Sequence, residues 1–224
     1  MRRLDQQRLE LSRAFSPARE DYIVSTSNAH AVAALDGWRS WPGGLMALIG
    51  PEGAGKTHLA LAWAEGADAA IVERGDRDLR GLGGRPVLLE DADRTPGDET
   101  LFHLINMAGA DASLLLTGRL APRSWATDLP DLRSRLNALP TARIEAPDDA
   151  LLDGILRKFF RERNIRPADD VLPYLVRRIE RSISAAKDVV CRIDERADAE
   201  KRDITRALAR EILEDEGATL DLFE

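Results

Sequence analysis

The stretch "GPEGAGKTH", residues 50–58, decides the fold. It fits the pattern G-x-x-x-x-G-K-[ST], with Gly50, Gly55, Lys56 and Thr57 at the set positions. Glycines let a backbone wrap around phosphate oxygens with its N–H groups turned inward, and the following helix adds the positive end of its dipole. The candidates for nucleotide contact are therefore Gly50, Pro51, Gly53, Ala54, Gly55, Lys56 and Thr57, with His58 beside them at the helix start. Lys56 supplies a point charge to the β- and γ-phosphates, and Thr57 Oγ1 is placed to ligate Mg²⁺.

The flanks have the order such a loop requires. An apolar run, "GLMALIG" (44–50), precedes it, and a helical "KTHLALAWAEGA" follows. Working outward, "AAIVERG", "RPVLLEDAD", "ASLLLTGR" and "ARIEA" read as four more short strands. Between "RPVLLEDAD" and "ASLLLTGR", "DETLFHLINMAGAD" has helical spacing, with Leu101, Leu104, Ile105 and Ala108 on one face. Buried strands alternating with helices imply an α/β fold with a parallel sheet flanked by helices.

Upstream, "DYIVSTSNAHAVAALDGW" passes from an extended entry into a helix, with Ser27 or Asn28 available to cap it. After Pro147 four helical segments follow, the first carrying Leu151, Leu152, Ile155, Leu156 and Phe159 at helical spacing. Gly217 reads as a stop for the last. The expected organisation is an arm (1–20), a nucleotide-binding α/β domain (21–147), a small helical domain (148–216) docked upon it, and a tail (217–224).

Strand ends carry the remaining chemistry. "VLLED" (87–91) brings Glu90 and Asp91 to the end of a buried strand, where Glu90 suits Mg²⁺ and Asp91 an attacking water. "LLLTGR" (114–119) ends in Thr117, a polar group that could touch the γ-phosphate or orient water.

Composition bounds the rest. The 224 residues are 44% hydrophobic and 32% charged, with one cysteine and a net charge of −7. A lone Cys191 excludes an internal disulfide and suits a reducing cytoplasm. The longest apolar runs are too short to cross a bilayer, so no membrane partner is expected. The charged start "MRRLDQQRLELS" is unlike a secretory signal. An acidic chain lacks the broad basic surface needed to coat DNA.

Taken together, the glycine loop, the acidic strand end, the Thr-ended strand and the helical C-terminal segments resemble an AAA+ ATPase module, and within it the bacterial replication-initiator (DnaA) group. "REDYIVSTSNAHAVAAL" (19–35) is similar to the group's adenine-wrapping entry segment, which implies contacts from Tyr22 and Ile23. "LLLTGRLAPRSW" resembles its sensor-1 strand. "LPDLRSRL" (129–136) resembles the motif carrying its arginine finger, which falls on Arg135, with Arg133 as the neighbour open to confusion. The sensor-2 arginine of the group falls on Ser184 in "IERSISAAKDVV". Arg181, one turn earlier, either substitutes or the contact is missing. The group's acidic pair begins with Asp, whereas here it is Glu90 then Asp91, which puts self-hydrolysis in question.

No helix-turn-helix DNA reader follows the helical segments, so no sequence-specific DNA binding is expected. An initiator-like ATPase without that reader resembles the Hda family of regulatory inactivators. The resemblance implies ADP or ATP with Mg²⁺ as cofactors, and DnaA and the DNA polymerase III sliding clamp as partners. It implies an arginine finger given in trans to ATP-bound DnaA, with weak turnover by the chain alone, and leaves a homo-oligomer open. The family's clamp peptide resembles "QQRLEL" (6–11) through Gln6, Leu9 and Leu11, and "TLDLF" (219–223) through Leu220, Leu222 and Phe223. A helicase-loader-like ATPase and a non-catalytic nucleotide-binding adaptor are the alternatives.

Overall fold

The computed structural model describes residues 22–72, 81–94, 98–109 and 112–220. Gln6, Leu9, Leu11, Leu222 and Phe223 lie outside them, and Leu220 is described by its backbone alone. Among the described residues five strands form one parallel sheet: β1 (Leu45–Ile49), β2 (Ala70–Val72), β3 (Val87–Leu89), β4 (Leu114–Gly118) and β5 (Thr141–Arg143), in the order β2-β3-β4-β1-β5. Helices α1 (Ala29–Asp36), α2 (Lys56–Ala67), α3 (Asp98–Met107) and α4 (Pro130–Ala138) flank it.

Period-two alternation divides each central strand between two cores. Met46, Leu48, Leu88 and Leu115 point to one face, where they meet Leu35 of α1 and Leu59 and Trp63 of α2. Ala47, Ile49, Leu89, Leu114 and Leu116 point to the other, against Leu104 and Ile105 of α3 and Leu132 and Leu136 of α4. Burial on both faces is why these strands read as unbroken apolar runs.

Four further helices, α5 (Asp149–Glu162), α6 (Val171–Val176), α7 (Ile183–Glu200) and α8 (Arg206–Leu220), close on a third core. Asp148 Oδ1 caps α5 by accepting from Leu151 N at 2.8 Å, and Ser182 Oγ caps α7 by accepting from Ala185 N at 3.0 Å. The fold is thus a parallel sheet between helices with a helical C-terminal part, as the sequence implies.

Three local expectations are corrected. Asn28 stands at the start of α1 but its side chain does not cap it. It is buried, and both of its polar atoms are taken up by the preceding turn: Oδ1 accepts from Ser25 N and Nδ2 donates to Ile23 O, each at 2.9 Å. In α5, Phe160 enters the core while Phe159 is only half-buried. Phe160 follows Leu156 by four residues and so continues the same stripe. Finally, α8 runs through Gly217 to Leu220. A glycine inside a helix costs about 1 kcal/mol and ends it only where a left-handed cap replaces the next turn.

Candidate nucleotide site

Parallel pairing of β1 with β4 sets Ile49 beside Gly118, so the chain leaves both strands at the same edge. Gly50 N donates to Gly118 O at 3.3 Å, and the loop to α2 rises from there. Gly50 is extended, and a Cβ there would lie 2.4 Å from Ile144 O, so the strand beside it demands a glycine. Gly53 and Gly55 have φ of +69° and +96°, in the left-handed region that glycine alone enters freely. Ala54 is buried and Pro51 exposed. Lys56 turns back over the loop and donates from Nζ to Gly50 O at 2.9 Å and to Pro51 O at 2.8 Å. Burial pushes its pKa below the usual lysine range, with Arg119 adding to the effect and Asp91 opposing it.

A cavity of about 310 Å³ opens over the loop. Its walls include Gly53, Gly55, Lys56 and Thr57 from the expected set, together with Asp91 from the acidic turn. Behind it, the Thr57 hydroxyl donates to the Glu90 carboxylate, bringing together the two residues assigned to Mg²⁺. Desolvation raises the Glu90 pKa, and Asp91 adds to the rise, while Thr57 and Lys56 pull the other way. Glu90 Oε1 is buried with no hydrogen-bond partner among the described residues. An orphaned carboxylate oxygen beside a hydroxyl is the donor set that a hard cation takes. No group of three His, Cys, Asp or Glu among the described residues forms a protein-only metal cage. That suits Mg²⁺, which binds through one or two protein oxygens plus phosphates.

Thr117 lies beneath the acidic turn and is buried, outside the cavity lining. Its Oγ1 accepts from Asp91 N at 2.9 Å and its carbonyl from Ala92 N at 2.7 Å. That double clasp holds Asp91 at a left-handed φ of 49°. Thr117 therefore positions the acidic turn.

The helical part reaches the loop through the start of α7. Ile183 N donates to Gly53 O at 2.7 Å, and Ile183 lines the cavity. A Cβ on Gly53 would lie 2.5 Å from Ser182 Cβ and 2.9 Å from Ser184 Oγ. Ser184 thus stands at the loop. Arg181 points elsewhere, with Nη2 donating to Asp149 Oδ1 at 2.6 Å and Nη1 to Pro147 O at 3.2 Å. On the entry segment, the Tyr22 ring meets His58 edge-on with centroids 5.4 Å apart. Ile23 packs into the helical core and against Gly154 of α5.

Arg135 is exposed on α4, away from the cavity lining, with its guanidinium 5.5 Å from the Phe102 ring centroid. Arg133 instead donates to Arg123 O at 3.1 Å.

Several neighbours of the cavity escaped the sequence reading. Glu52, Arg94 and Arg119 line it, and Asp93 holds Arg119 N at 2.7 Å. Glu52 and Arg119 were visible inside quoted motifs, but no motif position distinguishes them. Asp148 ties the entry segment to α5: besides its cap, its Oδ2 accepts from Thr26 Oγ1 at 2.8 Å and from Ser27 N at 3.3 Å.

No protein-family model matches the chain. Solved structures do. Domain III of the Thermotoga maritima replication initiation protein DnaA is similar over 89% of this chain and 96% of its own, with a TM-score of 0.72 and 17% identity. AMPPCP-bound DnaA from Aquifex aeolicus matches over 79% of this chain and 64% of its own, with a TM-score of 0.65 and 20% identity. A single-residue variant of Thermotoga maritima RuvB covers 89% of this chain and 72% of its own, with a TM-score of 0.67 and 15% identity. The chain therefore shares the fold of DnaA domain III and of RuvB.

Proposed function

We propose that this protein is a nucleotide-holding regulator of DNA replication initiation. With the DNA-loaded sliding clamp, it stimulates ATP hydrolysis by DnaA through Arg135, supplied in trans. The observation that carries this reading is the placement of Arg135: it is exposed on α4 and does not line the chain's own cavity. It is available to a neighbour's site and not to its own.

In this reading residues 21–147 hold the nucleotide and 148–216 form a lid. The loop from Gly50 to Thr57 receives ADP or ATP, with Thr57 and Glu90 as protein ligands to Mg²⁺. The bound nucleotide supplies the anionic counterpart to Lys56 and a surface between loop and α7. Lys56 gives up its bonds to Gly50 O and Pro51 O to neutralise phosphate charge. Tyr22 and Ile23 bring the entry segment between the two parts, so that nucleotide state sets the angle at which α4 faces a partner. Arg135 then neutralises transition-state charge in DnaA, an effect of roughly 10³–10⁵ in rate where GTPases provide the comparison. Either terminal peptide, with Gln6, Leu9 and Leu11 or with Leu220, Leu222 and Phe223, docks on the clamp by placing alternate apolar side chains in a groove. A helicase-loader-like ATPase is the second reading, favoured by Asp91 lining the cavity beside Lys56 and Thr57.

The test is ATP hydrolysis by DnaA with clamp on DNA. Wild-type protein is expected to stimulate it, Arg135→Ala to lose the stimulation while folding normally, and removal of the clamp-binding peptide to do the same. Stimulation undiminished in Arg135→Ala overturns the reading. Strong turnover by the chain alone, abolished by Lys56→Ala, supports the loader-like alternative.

A further inference from the structure

Arg181 stands just before the contact between α7 and the phosphate loop. Its guanidinium is spent on the linker that runs from β5 to α5: Nη1 donates to Pro147 O at 3.2 Å and Nη2 to Asp149 Oδ1 at 2.6 Å. Pro147 is buried and its ring fixes φ, and Asp149 is the first residue of α5. The other carboxylates of the linker are committed elsewhere. Glu145 pairs with Arg143 at 2.8 Å, and Asp148 accepts from Leu151 N, Thr26 Oγ1 and Ser27 N. Asp148 thus ties the linker to the entry segment, and Arg181 ties it to the start of α7. Beyond Arg181 the chain has little slack. Ser182 is buried and caps α7, and Ile183 N already donates to Gly53 O at 2.7 Å.

We propose that Arg181 is a positioning residue and not a phosphate contact: it clips the linker so that the start of α7 stands against the phosphate loop. The inference rests on the nucleotide reading above and deepens it, since it makes the grip on nucleotide depend on a joint outside the cavity. Among the described residues Ile183 lines the cavity and Arg181 does not. The ion pair is open, with the Arg181 side chain 51% and the Asp149 side chain 66% exposed, so it adds little to overall stability. What it supplies is direction. A planar fork with donors on two acceptors fixes orientation as well as distance, which a single flexible cation does not. With the clip released, Ile183 can leave Gly53 O, and a wall of the cavity leaves with it.

The test pairs amide exchange at Ile183, measured on the full chain without nucleotide, with stopped-flow release of a fluorescent ADP analogue in Mg²⁺. In Arg181→Ala both should quicken by about threefold to tenfold, the loss of one carbonyl bond and one open ion pair. Asp149→Ala spares the bond to Pro147 O and should quicken both by less. The double variant should match Arg181→Ala, because the two substitutions remove one clip. Arg181→Lys should fall between, keeping charge without the fork. Thermal midpoints should stay near that of wild type throughout. A direct phosphate contact gives another pattern and would overturn the inference: faster release in Arg181→Ala with exchange at Ile183 unchanged, and slower release in Asp149→Ala, where the cation is freed. Unchanged exchange and release in Arg181→Ala also overturn it and leave the nucleotide reading standing. Wild-type protein that does not bind the ADP analogue overturns both.

Discussion

Substituting Gly53 by Ala probes the contact between the phosphate loop and α7, and Gly43 supplies its control. Both glycines have left-handed backbones, with φ of +69° and +60°. An alanine in that region costs about 1–2 kcal/mol, offset by about 0.4–1 kcal/mol gained through the stiffer unfolded chain. These terms are common to both sites and cancel in the comparison. Their surroundings differ. Among the described residues nothing lies within 4 Å of a Cβ on Gly43, whereas on Gly53 it would stand 2.5 Å from Ser182 Cβ and 2.9 Å from Ser184 Oγ. Carbon atoms pack at about 3.5–4.0 Å, so the start of α7 must retreat by roughly 1 Å. Overpacking of this kind costs about 1–3 kcal/mol. The retreat can be relieved by undocking α7, at the cost of the 2.7 Å bond from Ile183 N to Gly53 O. Gly53→Ala should thus be less stable than Gly43→Ala by about 1–3 kcal/mol, or about 2–12 °C in midpoint for a chain of this size. Thermal unfolding followed by far-UV circular dichroism measures the difference, and amide exchange at Ile183 should quicken in Gly53→Ala alone. Equal midpoints with equal exchange at Ile183 would refute the docking of α7 on the loop.

Two further perturbations address the acidic groups. Glu90 has its pKa raised by burial, so the folded protein holds its proton more tightly than the unfolded chain does. Its unfavourable contribution grows as pH rises from the ordinary carboxylate range through the raised value. Glu90→Gln should remove that fall and leave the metal-free protein at least as stable at neutral pH, while weakening Mg²⁺-dependent nucleotide affinity. Denaturation across pH and Mg²⁺ titrations read the two effects separately. Asp148 shows the opposite sign: burial pushes its pKa up, but the Leu151 amide, the Thr26 and Ser25 hydroxyls and the Ser27 amide together hold it below its usual value. Its stabilisation is present above the ordinary aspartate pKa and fades as pH falls through the depressed one. Asp148→Ala should cost about 1–2 kcal/mol at neutral pH through the lost cap, less in acid, as followed by urea denaturation.

What the sequence determined by itself was local. Strand, glycine loop and helix around Lys56 follow from residues adjacent in the chain, since each rests on short-range periodicity and on conformations that only glycine adopts freely. The unbroken apolar runs around Leu48, Leu88 and Leu115 likewise announced strands covered on both faces. Thr57 and Glu90 were each singled out, one by the loop pattern and the other by an acidic strand end, but no sequence feature joined the hydroxyl to the carboxylate. Only the tertiary structure decided the order β2-β3-β4-β1-β5, because strand neighbours are chosen by packing and crossovers and not by any one strand's composition. It turned Thr117 inward to clasp Asp91 N, aimed Arg181 at Asp149, and set Ile183 over the loop. It also brought Glu52 to Arg119. A polar side chain's partner is fixed by which backbone arrives beside it, and that is known only once the sheet has closed and the helical part has docked.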